Sequence, residues 1–260
     1  MFQQIHIVAC SPRTGTTLLH EAMVTCFKVD KHYDHEVRFN QSTAERSQVL
    51  VTKRPKDTYY MSKVLGNTPG LHTIYLLRDP RDAIVSRHGK DKSKFYSNIP
   101  LWRDLHAHGK ALQGFDNCLV IRYEDFVTNP DACQKRIQQK FPWLKKLHDF
   151  SAYHEHAKVS EGSSQALNGV RPISPASIGL WKKNLGRVKA QQALHGSLTP
   201  ELIECGYETS ADWEVQLNAI PADTTSSYYH EKKSVLSRLL LKLHGVQKVA
   251  SFKRLRKNIV

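Results

Sequence analysis

The sequence predicts an α/β fold of three layers, with a central parallel sheet of about five strands wrapped by helices. Three observations predict it. Short apolar runs recur along the chain, each followed by a loop and a helical pattern. The runs are apolar throughout rather than alternating, which suits parallel strands buried on both faces. The first of them passes through "SPRTGTT" into a helical repeat, the order expected where a strand, a glycine turn and a helix start converge on an anion.

In chain order, strands are expected at 5–10, 49–52, 73–77 and 118–121, with a weaker candidate at 28–30. After the first strand, Leu18, Leu19, Ala22, Met23 and Cys26 recur at helical spacing, so a helix starts near Thr16. After the strand at 73–77, Asp79 is the expected N-cap with Pro80 at the first helical position; Asn129 and Pro130 repeat the device. Residues 160–175 are rich in Gly, Ser, Asn and Pro and read as a long loop, a common form for a functional lid. Near the end, Leu236, Leu239, Leu240 and Leu243 recur at helical spacing between Lys and Arg residues. The expected division is a main domain over 1–220 and a basic, partly helical extension over 221–260.

Composition narrows the function classes. The 260 residues carry a net charge of +14, and from Lys232 to the end there are nine Lys/Arg and no acid. Such a chain favours polyanions: a phosphorylated or sulfated ligand, anionic lipid, an acidic glycan or nucleic acid. The five cysteines are odd in number and widely spaced, which predicts buried thiols in a reducing compartment rather than disulfides or a metal site. There is no signal-peptide pattern and no run of 18 apolar residues, so the reading points to a cytoplasmic protein.

In the first loop, Gly15 and the helix start gather backbone amides, Thr14, Thr16 and Thr17 add hydroxyls, and Arg13 adds a planar cationic fork for oxyanions. The pattern of triphosphate-binding loops is not met, because Thr16 and not lysine follows Gly15. A second pocket is expected where Arg78 ends a strand and Ser86 lies two helical turns past Asp79. Asp79 and Asp82 read as helix-start charges.

The three motifs "SPRTGTTLL", "LLRDPRDAIVSRH" and "VIRYEDFVTNP", in this order, resemble the sulfotransferases that use PAPS, 3′-phosphoadenosine-5′-phosphosulfate. The resemblance implies a fold related to phosphate-loop nucleoside-triphosphate hydrolases. It implies that Arg13, Thr14, Gly15, Thr16 and Thr17 grip the 5′-phosphosulfate, that Arg78 and Ser86 grip the 3′-phosphate, and that Tyr123 lines the nucleotide site. The loop arginine resembles the tyrosylprotein, bacterial and carbohydrate branches. "HYDHEVRF" resembles the stretch that carries the general base, which makes Glu36 the candidate, with His32, Asp34 and His35 as rivals. Lys53 in "VTKRPKD" resembles a lysine that approaches the transferring group. Ser163 or Ser164, together with Arg171, resembles the cofactor loop, and Trp181 fits either that loop or a core anchor.

The implied activity is transfer of a sulfuryl group from PAPS to a hydroxyl or amine of an acceptor, releasing PAP, with several cations in place of a metal. Tyr33, Tyr96 and Trp102 on the acceptor side suit sugar rings or phenols, and the positive surface favours a carbohydrate or glycolipid. The absence of any stem suggests a bacterial enzyme, and the basic end suggests peripheral membrane contact. Two other readings stand beside it: a phosphate-loop ATP-dependent kinase, and a basic nucleic-acid-binding module without catalysis.

Overall fold

A computed structural model describes residues 3–41, 48–89, 91–229 and 235–257, with side chains of the last segment described over 243–256. Four strands form: β1 (Gln3–Ala9), β2 (Val49–Lys53), β3 (Leu71–Leu77) and β4 (Cys118–Arg122). The helices in chain order are α1 (Thr16–Cys26), α2 (Thr58–Met61), α3 (Pro80–Ile84), α4 (Ile99–Lys110), α5 (Tyr123–Thr128) and α6 (Pro130–Lys140). They continue with α7 (Tyr153–His156), α8 (Glu161–Leu167), α9 (Leu185–His195), α10 (Thr199–Glu204) and α11 (Val235–Lys257).

The sheet is all parallel, in the order β2-β1-β3-β4. It has one strand fewer than expected. The stretch at 28–30 does not extend into a strand; Lys31 makes one isolated bridge to Leu50. The polar run that follows, "KHYDHE", offers no apolar side chains to bury on the sheet.

The expected burial on both faces is present. Ile5, Ile7, Ala9, Ile74 and Leu76 pack under α1, α5 and α6. Val8, Cys10, Leu71, Tyr75 and Leu77 face the other way, toward α2, α4 and Phe252 of α11. Side chains of alternate residues take opposite faces, so each run had to be apolar throughout. A third cluster joins Ile84, Phe95 and Ile99 to Trp181, Val188 and Trp213. Four cysteines are buried, Cys205 is partly so, and all five are free thiols.

The order places a topological switch at the carboxyl ends of β1 and β3: from β1 the chain goes to one side for β2 and returns to the other for β3. Ligands of open α/β sheets bind there.

Helix starts follow the predicted caps. Asp79 accepts from the Arg81 amide, and Asn129 from the Ala132 amide. The lid expectation needs correction. Ser160 caps a helix by accepting from the Ser163 amide, so 161–167 is α8, and only the residues after left-handed Asn168 and Gly169 form a loop. The C-terminal segment packs on the body. Phe252 is fully buried, 5.2 Å from Phe39, and Arg256 donates to Gln4 Oε1 at 3.2 Å. Among the described residues no helix is long and apolar enough to cross a membrane.

At Gly109 on α4 there is no room for a Cβ, which would overlap the buried Tyr75 ring. Gly109→Ala is expected to lower stability by about 2 kcal/mol, as overpacked cores do, seen as an earlier midpoint in chemical denaturation with an unchanged slope.

Candidate active site

The loop from β1 to α1 turns on two positive φ angles, 70° at Arg13 and 92° at Gly15. Arg13 carries a side chain, so its conformation stores strain of roughly 1–2 kcal/mol. Thr14 Oγ1 donates to the Ser11 carbonyl at 2.6 Å, and Ser11 Oγ lies 2.7 Å from Ser97 Oγ. These bonds hold the loop from within. Helix α1 starts at Thr16 with no side-chain cap, so its positive end and first amides border the loop.

Gly15 lies flush against Tyr123: a Cβ there would sit 2.7 Å from the ring. Above the same ring is the Arg78 guanidinium, 4.2 Å from the centroid. Arg78 is buried at the tip of β3. Its Nη1 donates to the Arg13 carbonyl at 2.8 Å and its Nη2 to the Ser177 carbonyl at 2.6 Å, while its buried Nε has no partner. Arg13 Nε donates to Ser86 Oγ at 3.3 Å.

The two cationic pockets expected from the sequence are therefore one continuous cluster. Ser86 reaches it by a different route from the one expected. Helix α3 ends at Ile84, so Ser86 lies beyond the helix and not two turns along it; the Tyr96 amide bonds its carbonyl at 2.8 Å. The sharp stop comes with Asp82, whose carboxylate accepts from the Gly179 and Trp181 amides (2.8 and 3.0 Å) instead of facing solvent.

Lys53 ends β2, is only 3% exposed, and places Nζ 3.5 Å from Glu21 Oε1. Burial draws its ammonium below the ordinary lysine value, while Glu21, Glu36 and Asp34 hold it up. The stretch carrying Glu36 is sewn to this tip: the Val37 amide bonds the Lys53 carbonyl at 3.2 Å, and the Phe39 amide bonds Asp57 Oδ2 at 2.8 Å. Glu36 is open at its surface yet crowded by neighbours. Crowding pushes its carboxyl upward, against the pull of Arg54 and Lys53. Of the rivals, His32 and His35 are exposed and pack edge-on against the rings of His20 and Tyr33.

An aromatic wall stands beside Glu36. Tyr96 and Tyr229 meet at 5.5 Å, Tyr228 and Tyr229 at 5.2 Å, His88 stacks on Tyr228 at 4.4 Å, and Lys56 Nζ lies 4.4 Å over Tyr229. Tyr228 and Tyr229 arrive from far along the chain because 226–228 pair with Phe95 through two backbone bonds. Trp102 is not part of the wall: it is fully buried, donating Nε1 to the Arg78 carbonyl.

The later motif divides. Ser163 is buried and donates to Glu21 Oε1 at 2.8 Å, whereas the Ser164 amide serves α8 itself. Arg171, with Leu18, Tyr123, Tyr153, Leu167 and Ser177, lines a cavity of about 60 Å³. Trp181 is a core anchor, 4.0 Å from the Arg81 guanidinium. His20, Glu21, Tyr228 and Tyr229 were missed from sequence. For Glu21 there was a signal: a charge inside the apolar repeat of the first helix. For the two tyrosines there was none. Among the described residues no cluster of His, Cys, Asp and Glu could hold a metal ion.

A model of the sulfotransferase family matches residues 21–142, from within α1 to just past α6. No curated protein matches the chain. Among solved structures, the sulfotransferase domain from the curacin biosynthetic pathway is similar at 14% identity and a TM-score of 0.52, covering 70% of this chain and 91% of that one. At that identity the likeness is one of fold. The sulfotransferase domain of the Synechococcus PCC 7002 olefin synthase has 14% identity, a TM-score of 0.45 and coverage of 70% and 88%. Retinol dehydratase, solved with androsterone and PAP, has 13% identity, a TM-score of 0.35 and coverage of 97% and 80%.

Arg13→Gly should separate strain from function. Glycine takes the positive φ freely, so thermal stability should hold or rise by about 1 kcal/mol. The stabilisation by added PAP, read as a thermal shift, should disappear.

Proposed function

We propose that this chain is a sulfotransferase that takes its sulfuryl group from PAPS and passes it to a hydroxyl of a carbohydrate or glycolipid; a sulfotransferase family model that matches residues 21–142 supports the reaction class. One observation carries the assignment of the donor site: Arg13 is bonded to Ser86 through its side chain and to the Arg78 guanidinium through its carbonyl. The fit to a doubly anionic nucleotide is supported by the unpartnered, buried Arg78 Nε and by the flat floor that Gly15 and Tyr123 make together.

In this reading Arg78 and Ser86 hold the 3′-phosphate, with Tyr123, Ser163, Arg171 and the loop threonines lining the rest of the donor site. PAPS supplies the sulfuryl group and is left as PAP. Glu36 takes the proton of the acceptor hydroxyl, a role its raised carboxyl suits. Arg13, Lys53 and the α1 amides stabilise charge on the leaving phosphate oxygen, where such preorganised groups act most strongly. ATP would leave the 3′-phosphate partners empty, which disfavours the kinase reading.

The wall of Tyr96, Tyr228 and Tyr229 offers faces for a sugar ring, and Lys56 offers charge for an acidic substituent. A glycolipid would also account for α11, where Leu243 and Val246 are exposed in a segment that is basic throughout. That face suits an anionic membrane better than nucleic acid. On this view the enzyme works in the cytoplasm at a membrane surface.

The test is transfer of labelled sulfate from PAPS to a panel of sugars, phenols and lipids. Label is expected in a sugar or glycolipid; label in phenols alone would overturn the acceptor assignment. Turnover should be bell-shaped in pH. It falls at low pH as Glu36 is protonated and at high pH as Lys53 loses its proton. Glu36→Gln should cut kcat by about 10²–10⁴ and remove the acid limb, with PAP binding retained.

A further inference from the structure

Helix α1 carries a charge where its neighbours are apolar. Glu21 is 4% exposed, and His20 beside it is fully buried. Three groups from three parts of the chain converge on one oxygen, Glu21 Oε1: His20 Nδ1 at 3.1 Å, Ser163 Oγ of α8 at 2.8 Å, and Lys53 Nζ at 3.5 Å. Burial opposes ionisation of Glu21, but these partners outweigh it and bring the carboxyl down to about 2. Glu21 is therefore a carboxylate at any working pH. With Glu21 ionised, His20 donates a hydrogen bond to it from Nδ1–H and keeps Nε2 unpartnered.

Lys53 is buried as deeply, and Glu21 is the carboxylate that contacts its ammonium among the described residues. A buried ammonium without a contacting anion loses its proton or swings toward water. We propose that Glu21 is a positioning residue: its carboxylate keeps Lys53 charged and aimed at the transferring group, and through Ser163 it makes that arrangement depend on α8 being docked. This rests on the reading that Lys53 faces the reacting group.

The charged and titratable groups around the pair come from every element packed on it. His20 shares α1; His32, Asp34 and Glu36 come from the loop before β2; Tyr153 comes from α7. Asp34 and Glu36 are felt by Lys53 without contacting it, so they soften the loss of Glu21 but do not replace it.

The experiment is a titration of Lys53 without nucleotide. Lysines are dimethylated with a ¹³C label, and the Lys53 resonance is identified by its absence in Lys53→Arg. In Glu21→Gln the Lys53 midpoint should fall by about one to three units, and in Glu21→Asp, which keeps the charge at a longer reach, by less. The alkaline limb of turnover should move down with it, with about tenfold lower activity at pH 9 and recovery toward wild type at lower pH. An unchanged Lys53 midpoint in Glu21→Gln overturns the proposal; if that variant does not fold, an unchanged midpoint in Glu21→Asp does so. A shifted midpoint with an unmoved alkaline limb would uphold the pairing and instead contradict the placement of Lys53 at the reacting group.

Discussion

The buried guanidinium of Arg78 is the junction on which the rest of the structure depends. From the tip of β3 it bonds the carbonyl of Arg13 in the first loop and the carbonyl of Ser177 in the loop between α8 and α9. It also covers Tyr123 at the end of β4, and its own carbonyl accepts from Trp102 on α4. One residue thus registers the two central strands, an outer strand and a distant loop through its side chain, and a covering helix through its carbonyl. A planar, permanently charged group with five donors can do this, and a lysine could not.

That junction explains how a strained loop persists. Arg13 has an unfavourable backbone conformation, and a single bond would not hold it. The Arg78 bond to its carbonyl, the bond from its own side chain to Ser86, and the Thr14–Ser11 turn over-determine it. Strain held in this way keeps the cation presented before a ligand arrives, so little ordering remains to be done on binding. The electrostatics are similarly arranged. Cations gather at the ends of β1, β2 and β3, where the sheet order opens a crevice. Glu21, the carboxylate partner of Lys53, is sunk into α1 and does not compete at the surface.

Most of the fold was legible because the strands are buried on both faces and had to be apolar throughout; each of the four appears where its run lies. The caps at Asp79 and Asn129 were legible because a short acceptor followed by proline has a local mechanism. Legibility failed where tertiary contacts decide. Ser160 looked like loop composition but caps α8. Ser86 looked helical, but α3 ends at Ile84, and the chain beyond it pairs instead with 95–96 through the Tyr96 amide and the Arg87–Phe95 bridge. Trp102 looked like a binding surface and is an internal prop. Within the site, the loop and Arg78 stood out by residue type and position at strand ends, and Lys53 only by its resemblance to a family motif; the structure puts Arg13, Lys53 and Arg78 at the ends of β1, β2 and β3. Tyr228 and Tyr229 could not, since only the fold-back onto Phe95 brings them near.

The central claim is that this cluster recognises a nucleotide by a phosphate on the 3′ carbon. The most direct measurement is calorimetric titration of the full chain with adenosine 3′,5′-bisphosphate and, separately, with ADP, which has the same base but lacks the 3′-phosphate. The account predicts saturable heat with the bisphosphate and binding of ADP weaker by about a hundredfold or more. No heat with the bisphosphate, or equal affinity for the two, would contradict it.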